Sequence, residues 1–412
     1  MLAEAAAGAC ARKTRVSAFG RLPRARMNRR CTGVRKCAMA RFRWAWIGAP
    51  DWGPDWARQR CDMRFYIDFD TQHCIRGWIV PDNPLAISRV VVSVDGLRLT
   101  DVPASIVHDP FRQNGWHSTG QCVFELNDAV VPGLSEMPRL NLYDADTNVL
   151  VHRRIPDEDL VDRRVMLINT GIHPEVAIQN ALFPYFRSSY FNLHRLSDEI
   201  LSSIFGNPLP TSQLLSGAVV VPRYEQYFPP DRMLSAILVQ DPYVEMATRM
   251  LWLKERADAA AKDAEGWRIG RYAEASLFAG GYDYTDVKSL KRFFRMLPQP
   301  AYHLLYNPLS RQLGTRLPDD RVHPGNSIVA IEILARVGIV GHRTYFDAFA
   351  STLLDRLGLA GTVPVPVPTP VPAETLALAE RLRGVRAVDD MLVFDVAMSD
   401  AVLMSLAKYW TE

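Results

Sequence analysis

The stretch "ILVQDPYVEMATRMLWLKE", residues 237–255, decides the fold. Ile237, Leu238 and Val239 form an apolar run that leads directly into Gln240-Asp241-Pro242. Asp is a favoured N-cap and Pro is tolerated at the first helical position, so a helix is expected to start at about this point. A buried strand that runs straight into a helix is the unit of a parallel α/β sheet. The same texture recurs on both sides of the stretch. Residues 165–169 and 218–221 read as short buried strands, residues 175–186 as a helix, and residues 243–263, 285–297, 326–337 and 344–357 as long helical patterns. In open sheets of this kind ligands sit beyond the carboxyl ends of the strands. Chemistry is therefore expected in residues 169–178, 222–232 and 240–249.

Upstream, the pattern is different. Residues 63–155 read as an all-β module, with short segments at 64–70, 75–80, 87–94, 122–126 and 140–143 separated by Pro-, Asn- and Gly-containing turns. Asp95-Gly96, between "VVVSV" and "LRLT", is the strongest hairpin signal in the chain. The spacing suggests a small β-sandwich. The expected architecture is thus an N-terminal all-β sandwich followed, over residues 160–412, by an α/β domain with a parallel sheet.

The first 62 residues stand apart. They carry 14 Lys/Arg against 4 Asp/Glu, a net of +10, whereas residues 63–412 carry 34 against 41, a net of −7. Four of the six cysteines, Cys10, Cys31, Cys37 and Cys61, lie in this segment. Three readings are open for it: a start codon placed too early, with Met63 as the natural first residue; a disordered basic tail that could meet nucleic acid or a membrane surface; or a targeting segment. The body that follows is poor in cysteine, which fits a reducing cytoplasm. No apolar run reaches the ~18 residues of a membrane-spanning helix, and the longest candidate, residues 326–341, is interrupted by Glu332 and Arg336.

Five stretches together resemble the sulfotransferase family, above all the carbohydrate sulfotransferases that use 3′-phosphoadenosine 5′-phosphosulfate (PAPS). "VMLINTGIHPEVAIQNALFPYF" resembles the strand, loop and helix that grip the 5′-phosphosulfate. "LLSGAVVVPRYEQYF" resembles the second strand and its active-site loop, and residues 237–255 the strand and helix that grip the 3′-phosphate. "YNPLSRQLGTRLPDD" with "AIEILARVGIVGHRTYFDAFASTLLDRLGL", and the closing "DMLVFDVAMSDAV", resemble the C-terminal half. The upstream "RGWIVPDNPLAISRVVVSVDG" resembles immunoglobulin-like modules found beside glycan-modifying domains in bacteria. The resemblance implies a P-loop-like parallel-sheet sulfotransferase fold, PAPS as cofactor, and a glycan hydroxyl as acceptor.

The residues that perform this chemistry in the family are not all present. Gly171, Ile172, His173, Pro174, Glu175, Val176 and Ala177 occupy its phosphosulfate loop. Ile172 stands for the Lys that neutralises the bridging oxygen, Pro174 removes an N–H donor, and Glu175 is expected to place a carboxylate where an anion would bind. At the 3′-phosphate site Gln240 stands for an Arg and Thr248 for a Ser. Gln offers neither charge nor a bidentate fork. The family's Ser-Gly-His base is Ser216-Gly217-Ala218 here. Glu225, in the following loop, is the candidate replacement base, and His173 the candidate replacement cation.

Further residues with possible ligand roles are Arg311 and Gln312, which match the family pattern and imply proximity to nucleotide, Arg223 and Arg232 beside the strand ends, and the basic face Lys288, Lys291, Arg292 and Arg295. Each also has an ordinary structural reading. Residues 361–373, within "GTVPVPVPTPVPAE", read as a polyproline II connector. No metal-spaced His/Cys cluster, glycine-rich P-loop or nucleophile elbow occurs. Two functions follow. One is a non-catalytic, sulfotransferase-like protein binding a glycan or a protein partner in bacterial polysaccharide assembly; the other is an active carbohydrate sulfotransferase with an altered PAPS site. Neither calls for a nucleic-acid partner or a metal.

Overall fold

The computed structural model describes residues 64–410, apart from residues 82, 95, 148, 209 and 263–268. The expectations for residues 1–62, and Met63, lie outside the described residues.

Eight strands form two antiparallel sheets. The first has the order β1 (Arg64–Thr71), β2 (Cys74–Val80), β6 (Gln121–Asn127), β5 (Ile106–Val107); the second has β4 (Leu97–Pro103), β3 (Arg89–Val94), β7 (Leu140–Asp144), β8 (Leu150–Arg154). Val94 pairs with Leu97 across the β3–β4 turn, where Gly96 takes a φ of 80° that L residues rarely adopt. Alternation puts Ile75, Ile79, Phe124 and Leu126 of one sheet and Val90, Val92, Leu140 and Leu142 of the other into one buried cluster. At the sheet edges, Asp70 of β1 takes hydrogen bonds from Arg154 of β8 at 2.6 Å and pairs with His152 at 2.7 Å.

The second part of the chain forms a five-stranded sheet in which every neighbouring pair is parallel: β10 (Ser188–Tyr190), β11 (Gln213–Gly217), β9 (Arg164–Ile168), β12 (Met233–Val239), β13 (Ile339–His342). The mixed α/β class follows directly. Met166 and Ile168 point into a cluster with Leu309, Leu313, Ile333 and Met398 on one face, while Val165 and Leu167 meet Ile178, Leu182, Phe349 and Leu353 on the other. Apolar residues on both faces are what a parallel sheet covered by helices requires. The chain leaves β9 for β10 and β11 on one side, then crosses to β12 and β13 on the other. The carboxyl end of β9 is therefore the switch point at which a ligand would be sought.

One strand lies elsewhere than expected. Residues 218–221 are outside the sheet: β11 is Gln213–Gly217, and Val221–Tyr224 is a short helical turn with Pro222 at its start. The polar residues that hid β11 are buried and satisfied, Ser216 accepting from Gln179 at 2.7 Å and Gln213 from Arg164 at 3.1 Å. Gly217, the last residue of β11, sits where a Cβ would meet the Leu193 backbone nitrogen at 2.6 Å. Gly217→Ala is therefore expected to cost about 1–3 kcal/mol, as overpacking does. The denaturant midpoint in urea reports it, and an unchanged midpoint would refute the tight approach.

The proline-rich segment does not stand free. It joins the Phe346–Arg356 helix to the Ala373–Arg383 helix, and on the way Thr369 donates to Glu175 through its backbone N–H at 3.0 Å and its hydroxyl at 2.6 Å. Arg343 donates to the Thr369 carbonyl and to Glu175.

Among the described residues no helix is long and apolar enough to cross a membrane.

Candidate functional site

Asn169 to Pro174 connect β9 to the Val176–Leu182 helix, and their polar backbone is fixed from three sides. Thr170 donates its hydroxyl to the Leu238 carbonyl at 2.7 Å, and Gln312 donates its side-chain amide to the Asn169 carbonyl at 2.6 Å. The third anchor is Glu245, on the Pro242–Glu255 helix. Its carboxylate accepts the Ile172 N–H at 2.8 Å. Arg249, one turn further along the same helix, donates to that carboxylate at 2.6 Å, to the Leu304 carbonyl at 3.1 Å and to the Thr170 carbonyl at 3.3 Å. Both side chains of the pair are only 12% exposed. Gly171 permits the approach, since a Cβ there would lie 3.0 Å from the second Glu245 oxygen.

A backbone N–H in a strand-to-helix loop, backed by a cation, is the usual provision for a bound anion. In this chain the anion is a side chain. Burial raises the Glu245 carboxyl above its ordinary range, more than Arg249 and the Ile172 N–H lower it.

The start of the Pro242–Glu255 helix is closed in the same way. Asp241 caps it, accepting from the N–H groups of Tyr243 and Val244 at 2.9 and 3.0 Å, and its other oxygen pairs with Arg383 at 2.6 Å. The Arg383 guanidinium lies 4.5 Å from the Tyr243 ring centre. Gln240 turns its side-chain oxygen back to the Asp241 N–H at 3.1 Å. The space that remains, lined by Thr170, Gln240, Pro242, Glu245, Pro308, Leu309 and Asp395, is about 10 Å³, room for about one water molecule.

Asp395 closes the back of this space. It is 1% exposed and comes from the long Arg386–Trp410 helix. Its carboxylate accepts from the Leu309 N–H at 2.8 Å, and from the Ser310 N–H and hydroxyl, each at 2.7 Å, at the start of the Pro308–Gly314 helix. Burial raises its carboxyl too. Asn307, held at a φ of 40°, answers from the other direction: its side-chain oxygen accepts from Phe394 and Asp395, and its own N–H donates to the Met391 carbonyl. It thereby inserts into the backbone ladder of the long helix.

Of the expected site residues, Gln240 lines this space, Gly171 lies against Glu245, and Gln312 is spent on the Asn169 carbonyl. Thr248 lies on the same helix as Glu245, with its hydroxyl donated to the Val244 carbonyl at 2.8 Å. Arg311 is buried and reaches the Asp320 carbonyl at 2.6 Å, so it serves the loop that follows its own helix. Glu225 is held by Arg336 at 2.7 Å. Arg223 pairs with Asp198, and Arg232 lies 3.9 Å from Asp231. His173 follows Ile172 in the loop; burial, then Arg256 and Arg249, lower its pKa, which opposes a cationic role at neutral pH.

One expectation is corrected. Glu175 does not turn its carboxylate toward the anion position: Arg343 and Thr369 hold it against the proline-rich connector. The carboxylate beside the loop N–H belongs to Glu245, which sequence reasoning passed over. Its one signal is the i,i+4 spacing of Glu245 and Arg249 on a helix whose Met246, Ala247, Met250 and Leu253 are all apolar.

No protein-family model matches the chain, and a search of curated proteins finds no match to it.

Proposed function

We propose that this chain is a sulfotransferase-like protein with a lost PAPS site, built from a β-sandwich module over residues 63–155 and an α/β domain over residues 160–412, and that it binds a glycan or a protein partner in bacterial polysaccharide assembly without catalysing sulfate transfer. Support for the fold relationship comes from the order of the five resembling stretches together with an all-parallel sheet whose β12 enters its helix through Asp241-Pro242. The glycan as ligand class is what the resemblance implies. The loss of catalysis rests on a single observation: the Ile172 N–H and the Arg249 guanidinium are already committed to Glu245. Gln240 in place of Arg and Ile172 in place of Lys remove the charge that would compete with that carboxylate.

The experiment is a transfer assay with labelled PAPS and a panel of polysaccharide acceptors. No incorporation above background is expected. Incorporation that Glu225→Gln abolishes would overturn the proposal and establish an active carbohydrate sulfotransferase with Glu225 as its base.

A further inference from the structure

The Val287–Arg295 helix carries a second candidate surface. Its sequence, VKSLKRFFR, buries Leu290, Phe293 and Phe294, and Asp286 caps its start by accepting from the Lys288 and Ser289 N–H groups at 3.2 and 2.9 Å. The opposite side is exposed and holds Lys288, Lys291, Arg292 and Arg295. These positions are i, i+3, i+4 and i+7, so they share one face and span about 10 Å of helix axis.

Two features separate this stripe from an ordinary solvated face. First, among the described residues no carboxylate comes within 4.0 Å of any of the four cations. By contrast, Arg223, Arg336, Arg343 and Arg383 each hold one. Second, the chain from residue 63 onward is net −7, so four neighbouring cations run against the average charge of the body. Uncompensated like charges four residues apart disfavour the helix. A ligand with closely spaced negative groups would relieve that repulsion.

We infer that the exposed face of the Val287–Arg295 helix binds an anionic polysaccharide, through sulfate, phosphate or carboxylate groups that lie along Lys288, Lys291, Arg292 and Arg295. The inference rests on the proposed glycan-binding role and adds the charge of the glycan and the place where it is read. A membrane surface fits less well. The apolar side of this helix is buried in the core, which leaves headgroup attraction without insertion. Duplex nucleic acid fits less well because four contacts on one short helix are few against the roughly six to ten phosphates that duplex-binding proteins neutralise.

The test uses the full chain, fluorescent dextran sulfate, and uncharged dextran of the same length. Dextran sulfate is expected to bind saturably and uncharged dextran weakly or not at all. With four charge contacts, affinity should fall on the order of 100-fold between 50 and 200 mM salt, by the counterion-release relation known for nucleic acids. The quadruple variant Lys288→Gln, Lys291→Gln, Arg292→Gln, Arg295→Gln should lose at least about 10-fold, while Lys288→Arg with Lys291→Arg keeps the wild-type affinity. All four side chains are exposed, so folding is expected to survive, and circular dichroism checks it. Failure of dextran sulfate to bind, an unaffected quadruple variant, or stronger binding to phosphatidylserine vesicles or to duplex DNA overturns the inference. Binding of uncharged dextran that the quadruple variant leaves intact would sink the stripe and leave the glycan-binding reading in place. Sulfate transfer from PAPS to a polysaccharide would sink the non-catalytic reading and leave the stripe to be judged by its own variants.

Discussion

Arg249→Ala is expected to lower the unfolding free energy by about 3–5 kcal/mol, because it strands a buried carboxylate. Glu245 would keep the Ile172 N–H but lose its only cationic partner among the described residues, and the Thr170 and Leu304 carbonyls would each lose a donor. The pH dependence carries the diagnostic sign. The folded-state pKa of Glu245 is raised above its unfolded value, so its stabilising contribution is fully present below the ordinary carboxyl range and is lost as pH rises through the folded value. Removing Arg249 raises that folded value further. The deficit of the variant should therefore be largest near neutral pH and should shrink toward pH 5, as the stranded carboxyl takes up a proton. Urea titrations at the two pH values measure this. A deficit below 1 kcal/mol, or one independent of pH, would mean that Glu245 is better solvated than its surroundings indicate.

Asp395→Ala is the second large effect. Three donors converge on this carboxylate from the start of the Pro308–Gly314 helix, and two of them are backbone N–H groups that Ala cannot satisfy. Leaving a buried donor unpaired costs about 1–3 kcal/mol each, so a loss of about 3 kcal/mol or more is expected. Asp395→Asn should recover little, since its amide nitrogen would face donors in place of one acceptor. Hydrogen exchange adds a local readout: the amides of Leu309 and Ser310 should lose protection first. A variant as stable as wild type would show that the contact between the two helices is held by packing alone.

The α/β class was readable from residues 237–255 because an apolar run, an Asp cap and a Pro at the first helical position agree with one another. β12 and its helix lie where that agreement puts them. β11 was displaced by several residues in the reading because Gln213 and Ser216 look unlike a buried strand until Arg164 and Gln179, both distant in sequence, are seen to satisfy them. β10 and β13, of three and four residues, are too short to carry a period.

The site was legible only as a set of departures. On the proposed relationship Ile172 and Gln240 stand where charges would be, yet a Glu-Arg pair at i,i+4 looks like any surface ion pair on a helix. Its burial depends on a loop 73 residues earlier. For the same reason Glu175 was misplaced, since its partner Arg343 is 168 residues away.

The most direct measurement is a calorimetric titration of 3′-phosphoadenosine 5′-phosphate into the full chain. Each charged phosphate contact replaced by a neutral one forfeits about 1.5–3 kcal/mol, and on the proposed relationship Ile172 and Gln240 stand for two, or roughly two to four orders of magnitude in affinity. With Glu245 also committed to the loop N–H, no saturable heat is expected at micromolar concentrations. A saturable isotherm with a micromolar dissociation constant would contradict the proposal that the nucleotide site is lost.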